Sequence, residues 1–159
     1  MSLDNQVVLT PQGYEKIERE LERLRTVDRR EVADRIRDSK QFGEFTENAE
    51  YEDAKIEQAF VEGRIQDLRR ILQLAQVLDV KEIPTDRVGI GSIVKVKDLE
   101  ADEDWQFTLV GSIESDPDHD RISDESPVGQ ALLGKKVGDE VTVAVPDGHI
   151  RYRVIKIRK

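Results

Sequence analysis

Three glutamates spaced by three, Glu44, Glu47 and Glu50, fall in the stretch Gly43–Tyr51, with two phenylalanines beside the first of them, Phe42 just before the stretch and Phe45 within it. Lysines stand on either side, Lys40 before it and Lys55 after it. Clustered carboxylates offer hard oxygen ligands, the donors that Mg²⁺ takes at about 2.0–2.1 Å while keeping several waters. One or two carboxylates make a weak site alone and a sufficient one when another protein supplies the remaining ligands. In two-metal phosphoryl chemistry, a second ion of that kind generates and orients the attacking water. A plainer account also fits: acids at the start of a helix stabilise its dipole by about 0.3–1 kcal/mol each, and Glu47 and Glu50 occupy such places. Phe42 and Phe45 equally suit the closing layer of an apolar seam, and Lys40 and Lys55 suit a solvated face.

Other candidates are sparse. His119 lies in the polar turn Asp116-Pro117-Asp118-His119-Asp120, and His149 stands beside a hairpin turn. Trp105 opens a strand, where packing accounts for it better than base stacking does. The absence of cysteine excludes disulfides, thiolate metal sites and cysteine nucleophiles. There is no phosphate-cradling glycine loop and no Ser/His/Asp signature. The net charge of −9 over 159 residues argues against non-specific nucleic-acid binding, which phosphate neutralisation drives. Contact with RNA or DNA is therefore expected to be local or made through a protein partner. No apolar run approaches the ~18 residues of a membrane span, and the chain reads as soluble and cytoplasmic.

The elements that must position the acidic stretch are helical. From Tyr14 to Leu78 the only glycines are Gly43 and Gly63, and proline is absent. Thr10 and Pro11 read as an N-cap and first helical position. Ile17, Leu21 and Leu24, then Val32 and Ile36, mark one apolar seam. Ala54, Gln58, Val61, Ile65, Leu68, Leu72 and Ala75 mark another, in steps of four and three. Glu62 and Arg64 read as ordinary solvated positions. Two helices of roughly 30 residues, each about 45 Å long, thus form an antiparallel coiled-coil hairpin with the acids at its turn. At the turn, Gly43 supplies conformational freedom and Thr46 a cap for the second helix.

Residues 81–88, containing Pro84, break the helix and read as a linker after a hairpin domain at 1–80. The apolar period then changes to two. Ile93–Lys97, Gln106–Val110, Val141–Val145 and Ile150–Ile157 read as strands, with Asp147-Gly148 as the hairpin turn joining the last pair. Ser126–Leu133 reads as a short capped helix ended by Gly134. The predicted class is α+β: a helical hairpin followed, at 89–159, by a small antiparallel sheet carrying one helix.

The segment GEFTENAEY, with Ala54-Lys55 and Glu62-Gly63-Arg64-Ile65 after it, resembles the tip of the Gre transcript-cleavage factors, which reads approximately GDLxENAEY. Leu9–Gly13 and the pattern Ser126-Pro127…Leu133-Gly134-Lys135 are similar to that family too, so that the resemblance runs from about Val8 to Ile157. It implies an FKBP-like C-terminal domain docked on bacterial RNA polymerase, with the hairpin inserted in the secondary channel. It implies that two tip acids, here Glu44 and Glu47, help hold a second Mg²⁺ alongside polymerase carboxylates and activate water. The polymerase then hydrolyses the 3′ part of a backtracked transcript, so the factor is an activator and not itself the enzyme. By position, Lys40 and Lys55 lie near the nascent RNA 3′ end, Phe42 and Phe45 form the apolar tip, and Ser126, Pro127 and Val128 fall in the docking loop. A monomer is expected in the free state. One position departs from the pattern: the first acid is usually Asp and here is Glu44, which keeps the charge but moves it one methylene outward. That departure leaves room for a channel-binding regulator that does not cleave. A third reading, an adaptor or chaperone with an isomerase-like sheet domain, is disfavoured by the few aromatics of the sheet half, too few for a proline pocket.

Overall fold

The computed structural model describes residues 7–40 and 49–159. The chain divides into two compact units: Tyr14–Ala75, and the N-terminal segment to Gly13 together with Gln76–Lys159. The architecture is α+β, a helical hairpin and a β-sheet domain with one short helix.

The first arm of the hairpin runs through α1 (Pro11–Arg23), a π-helical stretch (Leu24–Asp28) and α2 (Arg29–Ser39). The second arm is α3 (Ala49–Leu74). Ile17, Leu24 and Val32 are buried on the first arm, and Ala54, Val61, Ile65 and Leu68 on the second. Gln58 and Leu72 are half-buried. The π-helical stretch has a reason in the spacing. From Leu24 the inward positions are Asp28, Val32 and Ile36, three consecutive steps of four where a heptad alternates four and three. One surplus residue must be absorbed, and a π turn absorbs one. It closes with the Arg29 N–H donating to the Leu24 carbonyl, and the Thr26 hydroxyl donates to the Glu22 carbonyl at 2.7 Å.

Charged pairs flank the seam. Arg64 donates twice to the Glu20 carboxylate at 2.7 and 3.1 Å, and Arg29 donates twice to Glu62 at 2.8 and 3.0 Å. Arg35 pairs with Glu57 across the arms through a single contact. The sequence reading of Glu62 and Arg64 as ordinary solvated positions is therefore corrected: both tie α3 to the first arm. Their side chains remain about 40% exposed, so each pair contributes only about 0.2–1 kcal/mol. Gly63 is helical.

The second unit holds two sheets. A two-stranded sheet pairs β1 (Val7–Leu9) with β2 (Ala75–Val77). The sequence reading extends the helical seam through Ala75, but α3 ends at Leu74 and Ala75 begins this strand. Three-residue strands are too short to show a period of two. The larger sheet contains β3 (Ile93–Asp98), β4 (Glu103–Val110), β5 (Arg121–Ser123), β6 (Glu140–Val145) and β7 (Gly148–Arg158), in the order β5-β4-β3-β7-β6. The expected strands are all present. The sheet is not wholly antiparallel, because β5 runs parallel to β4 along the edge. The turn before β7 forms at Pro146-Asp147, one residue earlier than the expected Asp147-Gly148, and Gly148 opens β7 opposite Val145 at φ 137°.

The core of this unit is built from Val88, Val94, Val96, Leu109, Leu132, Val141, Val143, Tyr152, Val154 and Ile157. Its alternation breaks once. The β3–β7 register shifts between Lys95 and Val96, pairing Lys95 with Lys156 and Val96 with Val154. Ile155 is the extra residue of that bulge and faces outward, so Val154 and Ile157 can both face the core. Residues 81–88 contain two buried side chains, Ile83 and Val88. The Val88 N–H donates to the Lys135 carbonyl at 2.8 Å, and its own carbonyl accepts from Gly134 N–H at 2.8 Å.

Candidate functional site

Glu44, Glu47, Phe42 and Phe45 lie outside the described residues. The helix ends that bracket them are described. At the end of α2 the Ser39 hydroxyl donates to the Ile36 carbonyl at 2.9 Å, and the Lys40 N–H donates to the same carbonyl. Lys40 is exposed there. On the other side, α3 opens at Ala49 with Glu50 and Glu52 in its first turn, where the free N–H groups favour negative charge. Ala54 is fully buried against the first arm, so α3 joins the seam within its first two turns. Lys55, next in sequence, faces outward, its ammonium donating to the Gln58 side-chain carbonyl at 3.1 Å. The acidic segment thus connects the negative end of one helix dipole to the positive end of its antiparallel neighbour.

The second predicted cluster lies in the other unit. Ser126 caps α4 (Pro127–Leu132). Its Oγ accepts from the Gly129 N–H at 3.1 Å, and its hydroxyl donates to the Ser123 carbonyl at 2.6 Å. Pro127 fills the first helical position, where its missing donor costs nothing, and is exposed. Val128 is half-buried against the core. Gly129 is required by space: a Cβ there would sit 1.9 Å from the Ser123 carbonyl oxygen. Gly134 ends the segment at φ 79°, as its position predicts. The Ser126-Pro127-Val128 turn is therefore rigid, with an exposed proline at its apex.

Glu114 escapes a reading of the sequence. It lies in a 3₁₀ turn after β4, and its side chain is only 4% exposed. Its carboxylate accepts from the Thr10 backbone N–H at 2.7 Å, from the Thr10 hydroxyl at 2.6 Å and from Arg121 at 2.7 Å. Thr10 in turn caps α1 as expected, its Oγ1 accepting from the Gly13 N–H at 3.1 Å. The available signal is Gly13, an unfavourable residue inside a helix. A Cβ at that position would lie 2.1 Å from a Glu114 oxygen, so the glycine makes room for the acid.

The remaining candidates stay isolated. His119 Nδ1 is 2.7 Å from an Asp116 carboxylate oxygen on an exposed turn. No group of three or more potential metal-ligating His, Cys, Asp or Glu side chains forms among the described residues. His149 is exposed, and Trp105 sits on β4 opposite Val96, partly exposed. No helix among the described residues is long and apolar enough to cross a membrane.

Comparison with known proteins covers both units. Residues 7–77 match the family model described as transcription elongation factor, N-terminal, and residues 83–159 match transcription elongation factor, GreA/GreB, C-term. The chain is 53% identical over 159 residues to transcription elongation factor GreA of Acetivibrio thermocellus, covering all of both chains. It is 54% identical over 159 residues to that of Alkaliphilus oremlandii, again with full coverage. Among solved structures it is similar to GreA factor homolog 1 of Thermus thermophilus, with 33% identity, a TM-score of 0.44 and coverage of 97% of this chain and 99% of that one.

Proposed function

Since the chain belongs to the GreA/GreB family of transcription elongation factors, we propose that it acts by entering the secondary channel of RNA polymerase and stimulating the polymerase's own cleavage of backtracked RNA. The observation that carries this reading is the pair of carboxylates, Glu44 and Glu47, retained in the segment between two packed helix ends. Carboxylate oxygens are the donor chemistry that Mg²⁺ prefers, and Glu44 and Glu47 would hold such an ion together with polymerase carboxylates. Bound there, the ion supplies charge neutralisation and lowers the pKa of a coordinated water. Glu44 and Glu47 would keep the ion beside the RNA phosphodiester, and their remaining carboxylate oxygens would accept hydrogen bonds from an attacking water. Lys40 and Lys55, both exposed, supply cations for the phosphates of the extruded 3′ end. Phe42 and Phe45 provide the apolar part of the tip. Ser126, Pro127 and Val128 form the rigid turn that docks on the polymerase exterior. The chain contributes ligands and position, and the polymerase remains the enzyme.

A transcript-cleavage assay on stalled complexes tests this. Glu44→Ala/Glu47→Ala is expected to abolish stimulation, and rates equal to wild type would remove the acids from the mechanism. Glu44→Asp restores the acid usual in the family. Because a displacement of about 1 Å can change a positioned reaction on the order of 10²-fold, that variant is expected to cleave faster than the wild type. The longer side chain of Glu44 also favours a second reading, a channel-binding regulator without cleavage. Binding to polymerase without any Mg²⁺-dependent cleavage by the wild type would select it.

A further inference from the structure

Two of the most exposed large apolar side chains among the described residues are neighbours. Ile56 and Phe60 are each 69% exposed and lie four residues apart on α3. Helical spacing places Glu52, Ile56, Phe60, Gly63 and Asp67 along one stripe. The opposite stripe carries Ala54, Val61, Ile65 and Leu68, which are buried in the hairpin seam. Among the described residues nothing covers the outer stripe at Gly63, where an added Cβ would meet no neighbouring atom within 4 Å. This glycine is helical, so neither internal packing nor an unusual backbone angle calls for it.

The charges differ between the faces. Glu57 and Glu62, which point toward the first arm, are paired with Arg35 and Arg29. Glu52, at one end of the outer stripe, forms no ion pair among the described residues, whereas Asp67 toward the other end acts electrostatically on Arg64 and is followed on the stripe by the exposed Arg70. A surface that receives this stripe needs an apolar recess with cationic groups around it. The apolar area offered is on the order of 250 Å², against about 800 Å² per partner in a stable protein–protein interface. A second copy would also bring the same two acids into the contact. The stripe therefore suits a partner already held at other points, where a small additional contact adds to affinity through effective concentration.

We infer that the outer stripe of α3, centred on Ile56 and Phe60, docks into an apolar recess with a basic rim on RNA polymerase. This rests on the reading that the hairpin enters the polymerase, and it adds a contact on the flank of the second arm, distinct from the acidic segment and from the Ser126-Pro127-Val128 turn. Gly63 then keeps the helix backbone close to the recess.

The test measures the affinity of the labelled full-length chain for bacterial core RNA polymerase. Ile56→Ser/Phe60→Ser removes the apolar contact, and its Kd is expected to rise about tenfold. Glu52→Lys/Asp67→Lys reverses the charge, and its Kd is expected to rise as well. Val27→Ser, which also removes an exposed apolar side chain, is the control and is expected to bind like the wild type. Should the double serine variant lose helicity, Gly63→Leu crowds the same stripe without removing an internal contact and is expected to weaken binding. Wild-type affinity in the serine variant, or in Gly63→Leu if that variant is used, overturns the proposal, as does an equal loss in Val27→Ser. A loss confined to the apolar pair overturns the basic rim. A wild-type dimer in sedimentation that the serine variant dissolves assigns the stripe to a second copy and overturns the polymerase assignment. If the wild type fails to bind polymerase at all, the underlying reading fails with it, a result distinct from all the others.

Discussion

Two glycines show how differently the same residue type can be used. At Gly129 a Cβ would meet the Ser123 carbonyl oxygen at 1.9 Å and the Asp124 Cα at 3.0 Å, both backbone atoms of a strand end that cannot yield cheaply. Gly129→Ala is expected to cost about 1–3 kcal/mol or more, as overpacking does. Gly63 is helical with open space around it, and Gly63→Ala is expected to gain about 0.5–1 kcal/mol. Thermal unfolding distinguishes them, with shifts of opposite sign and about 2–4 °C per kcal/mol for a chain of this size. Tyr152 gives a pH signature. Burial raises its phenol above the ordinary value of 10.0, and the nearby Asp98 charge adds to the shift. The folded state therefore holds the proton more tightly than the unfolded chain does. That stabilisation is complete below pH ~10 and is lost as pH rises through the folded value. Tyr152→Phe is expected to flatten the alkaline side of the stability–pH curve, measured by denaturant unfolding between about pH 9 and 11. At this scale the sequence was readable where a residue acts on its near neighbours, as Thr10 and Ser126 do in capping α1 and α4. Glu114 was not readable, because its partner Thr10 is distant in the chain and only the folded backbone brings them together.

Elements carry the next layer. The seam residues of both arms follow from apolar spacing, and the strands of the larger sheet follow from alternation. What escaped was the irregular and the short. The π turn at Leu24–Asp28 is hidden in an extra step of four, visible only after asking how Val32 can share a face with Ile17. Deleting Thr26 would restore the four–three alternation and is expected to leave thermal stability within about 1 kcal/mol of wild type. Deleting Ala33 instead displaces Ile36 and Ser39 from the seam and is expected to cost about 2–5 kcal/mol, the scale of losing a large core side chain. Circular dichroism melts of the two deletions compare them directly. The bulge at Ile155 is the strand counterpart: Tyr152, Val154 and Ile157 cannot all face one side unless a residue is spared between them. The parallel edge strand β5 is three residues long and adds no periodic signal of its own.

For the whole molecule, family membership was legible because the acidic motif is long and the similarity spans both units. The chemistry assigned to it was legible only through that resemblance, since acids near a helix start have an ordinary electrostatic use as well. Composition contributed one constraint that holds throughout. A chain of net charge −9 has little reason to hold nucleic acid by itself, which suits the proposed action through the polymerase. The cleavage assays on Glu44 and Glu47 belong to this scale, because their outcome depends on the assembled complex rather than on either unit.

The carboxylate of Glu114 is satisfied by a threonine more than a hundred residues upstream, in a segment that clusters with the later unit. A fragment cut to begin at residue 83, where the second family segment starts, would keep the acid and discard Thr10, leaving Arg121 as its remaining partner. It would also discard the small sheet entirely, since both of its strands lie upstream of the cut. The smallest faithful excerpt of that half is two stretches of chain spliced together, and anyone trimming the gene at the apparent linear boundary should expect a protein that folds less firmly than its parent.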